Sequence, residues 1–141
     1  MVYTAETLQH LTALIKGKDS SRMWLMENKF PELILVYYAL EGKKEASLEL
    51  AKKKNFELVA FVHAVQDDKR AFKWLAEHNG FIWAATVSVT NNDQNAEAWL
   101  KRNNLAHYAE LGRAIENDKL SNDSLGWLKM LLRMLRNYFK K

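Results

Sequence analysis

Apolar side chains recur along this chain at two spacings that alternate. In one kind of segment they fall at i, i+3, i+6 and i+7, as in Leu8, Leu11, Leu14 and Ile15 or in Leu33, Val36, Ala39 and Leu40, and this is one face of an α-helix. In the other kind a small residue and a leucine stand four apart, as in Ala46 and Leu50 or Ala71 and Leu75. Both patterns predict amphipathic helices. The second kind, helix A, is expected near 21–28, 43–53, 68–78 and 93–103. The first, helix B, is expected near 5–16, 31–41, 56–66, 81–91 and 105–116. Polar punctuation supports these limits. Asp68 and Asp93 suit helix N-caps, Gly17 and Gly42 suit helix ends, and Asn55, Asn79-Gly80 and Asn103-Asn104 fill the A-to-B turns. Pro31, the only proline, falls in the first turn of a B helix, where no backbone N–H is needed. The segment Phe81–Thr90 is rich in β-branched residues. Its place in the pattern still predicts a helix.

The pattern repeats every 25 residues without a gap. One column reads Leu8, Leu33, Leu58, Trp83 and Tyr108, and its neighbours read Leu11, Val36, Phe61, Thr86, Leu111 and Ile15, Leu40, Val65, Thr90, Ile115. On the A helices the column is Leu25, Leu50, Leu75 and Leu100, continuing to Leu125. Helices of about ten residues are marginal alone, so each pair must bury its stripe against its neighbours. The fold expected is all-α: a right-handed α-α superhelix, or solenoid, of about four helix-turn-helix repeats over 18–118. An N-terminal helix within 1–17 flanks it, and a C-terminal capping helix lies within 119–141, the whole forming one domain. The last helix is expected to start at Asn122, Asp123 or Ser124, with Leu125, Leu128, Leu131, Leu132, Leu135, Tyr138 and Phe139 as its apolar stripe.

These paired helices resemble HEAT and armadillo repeats, though 25 residues is a shorter unit than either. They resemble more closely the leucine-rich-variant repeats, whose units are of similar length and end on an acidic position that Asp67, Asp68, Asp93 and Asp118 match. Those repeats carry prolines between their helices, and here only Asn79, Asn103 and Asn104 stand there. The resemblance covers 18–118 and implies a binding scaffold.

Composition narrows the chemistry. With no cysteine, neither disulfides nor thiolate metal sites are available. No apolar run approaches the length of a membrane span, and the first residues lack the pattern of a signal peptide, so a soluble, cytoplasmic protein is expected. The net charge of +4 is local. Residues 1–124 hold 16 basic and 17 acidic side chains, whereas 125–141 hold Lys129, Arg133, Arg136, Lys140 and Lys141 with no acid. His10, His63, His78 and His107 show no metal-ligand spacing, no glycine-rich phosphate loop is present, and the serines lack a nucleophile-elbow context. No enzyme, cofactor or metal is expected. Trp24, Trp74 and Trp99 recur in the A helices; they read as inter-helix filler before they read as stacking platforms for bases or sugars.

A repeat scaffold keeps its core columns and frees its exposed ones, and its concave side is where partners bind. The expected function is therefore a non-catalytic interaction module for a protein or peptide. If the B helices line the concave side, the variable columns offer Tyr38, His63, Ser88 and Arg113, then Glu41, Gln66 and Asn91, with Glu110 beside them. If the A helices do, the row is Lys44, Lys69, Gln94 and Lys119. The alternative is a nucleic-acid-associated protein that uses Arg113 and the basic C-terminal helix.

Overall fold

The computed structural model describes residues 2–122 and, beyond them, Leu131, Met134, Leu135, Arg136 and Tyr138. Among the described residues the protein is all-helical, with no strand. The helices, in chain order, are α1 (Ala5–Ile15), α2 (Ser20–Glu27), α3 (Pro31–Leu40), α4 (Lys44–Lys52), α5 (Phe56–Val65), α6 (Lys69–Glu77), α7 (Phe81–Thr90), α8 (Gln94–Arg102) and α9 (Ala106–Asn122). The β-branched segment is helical: Thr86 and Thr90 turn their hydroxyls back onto the carbonyls of Ile82 and Val87, and Trp83, Val87 and Val89 are buried. Burial of the apolar face outweighs the weak helix propensity of these residues.

The turns explain why the spacing is regular. Left-handed backbone occurs at Gly17, Gly42, Asp67 and Asn92, and again at Lys29, Lys54, Asn79 and Asn104, so each turn of one kind stands 25 residues after the last. These are C′ positions, whose N–H groups close back on the preceding helix, as Asp67 does on the Ala64 carbonyl. The starts of α6 and α8 are fixed by side chains: the Asp68 carboxylate accepts from the N–H groups of Arg70 and Ala71, and Asp93 from those of Asn95 and Ala96. Asp67 is therefore a turn residue and Asp68 the cap.

Three expectations change. Helix α9 does not stop near 116; it continues through Asn122, so Asp118 lies inside a helix and not at a repeat end. Asn122 is itself helical, the last described residue of α9, and the other expected caps, Asp123 and Ser124, lie outside the described residues. Most of the expected C-terminal helix lies outside the described residues, and within them Leu131, Leu135 and Tyr138 of its apolar stripe are exposed.

The largest change concerns the ends of the stack. Each odd-numbered helix packs on the next odd one, α1 on α3, α3 on α5, α5 on α7 and α7 on α9, and α9 then packs on α1. Among the described helices, each even-numbered one touches only the two odd helices that flank it in sequence. The odd helices thus form a closed inner ring of five with α2, α4, α6 and α8 outside it. The superhelix expected from the sequence thus has its first and last described helices, α1 and α9, in contact.

A cluster of aromatic rings joins the ends of the ring. The Tyr3 N–H donates to the Tyr108 hydroxyl at 2.9 Å, and His107 Nε2 stands 3.0 Å from the Tyr3 carbonyl oxygen. The Trp83 ring lies edge-on to those of Tyr3 and Tyr108, 6.2 and 5.1 Å away, and 4.5 Å from that of Phe61. Tyr3, Phe61, Trp83 and Tyr108 are all buried. Contact between α7 and α9 is close enough to require Gly112, where a Cβ would stand 2.8 Å from Val89 Cβ and 3.0 Å from the Thr86 carbonyl. Around this ring the leucines at 25, 50, 75 and 100 are fully buried, each contributing about 1.5–3 kcal/mol.

Candidate functional site

Because the inner helices alternate with outer ones through short turns, all five run in the same direction. Their N-terminal ends gather at the aromatic cluster and their C-terminal ends at the opposite mouth. A cavity of about 230 Å³ opens there, lined by Ile15 of α1, Tyr37, Leu40 and Glu41 of α3, Val65, Gln66 and Asp67 of α5, and Ile115, Asp118 and Lys119 of α9. The apolar members Ile15, Leu40, Val65 and Ile115 belong to one 25-residue column of the sequence, so the same repeat that builds the core also builds the floor of the mouth.

The rim is polar and mainly acidic. Glu41, Asp67 and Asp118 line it together with Lys119, which reaches across the mouth from α9 to donate to the Val65 carbonyl of α5 at 3.0 Å. Partial desolvation, with the Asp118 carboxylate second, raises the pKa of Glu41 above the ordinary carboxyl value, and Lys43 offsets only part of this. Tyr37 is shifted upward by partial burial and by the same two carboxylates. The C-termini of α1, α3 and α5 end at this mouth, and their last carbonyls add negative partial charge there. Among the described residues the mouth therefore combines an apolar floor with a polar rim of Glu41, Gln66, Asp67, Asp118 and Lys119.

The residues expected to bind a partner are dispersed. Glu41 and Gln66 line the mouth, Gln66 also donating through Nε2 to the Ala39 carbonyl at 3.0 Å. Tyr38 does not face the ring axis: it lies in a shallow groove against α4, with Lys43 Nζ 4.6 Å and Arg22 Cζ 5.4 Å from its ring centre. His63 lines a groove with Leu48, Ala51 and Val59, and Ser88 and Asn91 share another with Asp68, Lys69 and Phe72. Glu110 is exposed on α9. Of the alternative A-helix row, Lys119 alone reaches the mouth, from within α9. Arg113, the anchor of both partner readings, is engaged inside the fold: it donates to Glu97 at 2.6 Å, to Asn92 at 2.8 Å and to Glu116 at 3.0 Å, tying α9 to α8 and to the turn before it. The ion pair lowers the pKa of Glu97 and raises that of Arg113.

The other histidines and the tryptophan row are also engaged. His10 stacks on Trp24 at 4.0 Å and His78 on Trp74 at 4.0 Å, while Trp24, Trp74 and Trp99 pack half-buried against the core. Sequence reasoning missed Tyr37, Asp67, Asp118 and Lys119 as members of one site. Asp118 and Lys119 stand in 25-residue columns, but those columns were assigned to repeat ends and to the A helices, and here both residues lie inside α9. Among the described residues no helix is long and apolar enough to cross a membrane. No protein-family profile matches the chain, and neither the curated proteins nor the solved structures provide a significant match.

Proposed function

We propose that this protein is a non-catalytic helical-repeat interaction module, a compact relative in architecture of α-solenoids, that receives a protein or peptide segment at the C-terminal mouth of its inner ring. The observation that carries this reading is the mouth itself. Four helices widely separated in sequence bring their ends to one concavity with an apolar floor and a charged rim, the composition of a site that anchors a side chain and orients it with a few polar groups. The outer grooves beside Tyr38, His63 and Ser88 lack that convergence. Arg113 spends its Nε and Nη1 donors on Glu97, Asn92 and Glu116 within the fold, which favours the peptide reading over the nucleic-acid alternative.

A random peptide library displayed on phage and panned on the intact protein tests the proposal. Enriched peptides are expected to shift the methyl resonances of Ile15, Leu40, Val65 and Ile115. Shifts confined to the outer grooves, or no enriched peptide at all, would contradict it.

A further inference from the structure

Helical spacing divides the side chains beyond α9 into two kinds. Leu131, Met134, Leu135 and Tyr138 are helical and stand at i, i+3, i+4 and i+7, which is one face of a helix. In the sequence Lys129, Arg133, Arg136 and Lys140 follow one another at i, i+4, i+7 and i+11, a spacing that belongs to the opposite side. A cap on the repeats would bury the apolar side. Instead Leu131 is 43% exposed, Met134 61% and Leu135 44%. Neighbouring apolar side chains left in water on one face mark a surface that another body covers, since burying them is favourable.

Charge says what kind of body that is. Residues 125–141 hold five cations and no acid, whereas 1–124 hold 16 basic and 17 acidic side chains. The covering surface must therefore combine hydrocarbon with negative charge. A second copy of this chain supplies hydrocarbon, but pairing two such faces brings together two sets of like charges with no acid in either to offset them. A nucleic acid supplies negative charge, but it engages the cations and leaves Leu131, Met134 and Leu135 in water. A protein groove is read in register through a mixed pattern of charges, and a stretch with cations alone offers none. A membrane surface that contains anionic lipids meets both layers, because its acyl boundary takes up the apolar face while its headgroups attract the cations. Trp127 and Tyr138 suit the same surface, since amphipathic rings favour the headgroup level.

We propose that residues 125–141 bind the anionic surface of a membrane. Leu131, Met134 and Leu135 enter the acyl boundary, the cations stay among the headgroups, and the ring of helices is tethered to the membrane face. With one side charged, the segment lies on the membrane and does not span it. The contact is reversible and sensitive to salt, because much of it is coulombic. It does not depend on what the mouth of the ring receives.

Flotation of the intact chain with two kinds of vesicle tests the proposal, one of phosphatidylcholine alone and one of phosphatidylcholine mixed equally with phosphatidylglycerol. The chain is expected to float with the mixed vesicles, to stay behind with the neutral ones, and to be released as salt is raised. Arg133→Gln with Arg136→Gln is expected to weaken association by at least about tenfold, because each cation near an anionic surface contributes about fivefold. Leu131→Gln with Leu135→Gln keeps the charge and removes apolar contact, and it is expected to weaken association by a further factor of about tenfold or more relative to the parent. Melting curves confirm that both variants keep the fold. A parent chain that floats with neither vesicle, or equally with both, would overturn the proposal. Loss of flotation in the arginine variant alone would leave a purely ionic contact, such as a nucleic acid makes, and would also overturn it. So would a dimer, seen by sedimentation velocity without vesicles, that the leucine variant dissociates while its flotation is unchanged, since the face would then belong to a second copy. Peptide binding at the mouth is read separately by its methyl resonances, so either reading can fail without the other.

Discussion

Two glutamates of this protein carry opposite pKa shifts, and they predict opposite responses to pH. Glu41 is raised by desolvation and by Asp118, so its folded carboxyl holds a proton more tightly than the unfolded one. Ionising it therefore opposes folding at neutral pH, and that penalty disappears on acidification below the ordinary carboxyl range. Glu41→Gln is expected to raise the melting temperature at pH 7 and to leave it unchanged near about pH 3, where both states are protonated. Glu97 is lowered by its hydrogen bond and charge pairing with Arg113, so its contribution is present at neutral pH and is lost as the pH falls through the folded value. Glu97→Gln is expected to lower the melting temperature at pH 7, with the difference from the parent narrowing in acid. Thermal denaturation followed by circular dichroism at several pH values reads both. Two variants that shift in the same direction at pH 7 would contradict the assignment of causes. Glu41 was legible in the sequence as a variable position, but Asp118 was read there as the end of a repeat. Its role depends on α9 continuing as one helix through the position where the earlier units turn, which the spacing does not indicate.

Individual helices were the most legible level, because a short helix is defined by features that lie within it. Leucines at 25, 50, 75 and 100 are buried without exception, and the ends of α1 to α8 are each followed by a left-handed residue close by in sequence. Packing energetics follow from the same columns. Leu75→Ala is expected to cost about 2–5 kcal/mol, the range for a leucine removed from a close-packed core, whereas the exposed Lys69→Ala should cost little. Urea denaturation of both variants checks this, and equal losses would refute the column assignment. Gly112 gives a sharper test of how α7 meets α9. A methyl group there would overlap Val89, so Gly112→Ala is expected to destabilise by about 1–3 kcal/mol despite the better helix propensity of alanine. A gain in stability would mean that the two helices are further apart than described.

At the scale of the whole molecule the sequence was least informative. Periodicity specifies which faces are buried, but the closure of a row of helices depends on the small rotation between successive pairs, which leaves no mark on the spacing. The signals for closure are isolated residues outside the period: Tyr3, ahead of the first helix, and the hydroxyl of Tyr108 in a column otherwise filled by leucine and tryptophan. Closure decides the functional reading, since it removes the long concave groove of an open stack and leaves a mouth at one end. The distance between α1 and α9 tests it directly. The chain contains no cysteine, so spin labels can be placed at Gln9→Cys and Glu110→Cys, both exposed, without altering other sites. With neighbouring axes about 8–10 Å apart, a closed ring predicts a single narrow distribution below about 25 Å by pulsed electron paramagnetic resonance, labels included. A distribution centred beyond about 40 Å, the span of five helices in an open row, would contradict it.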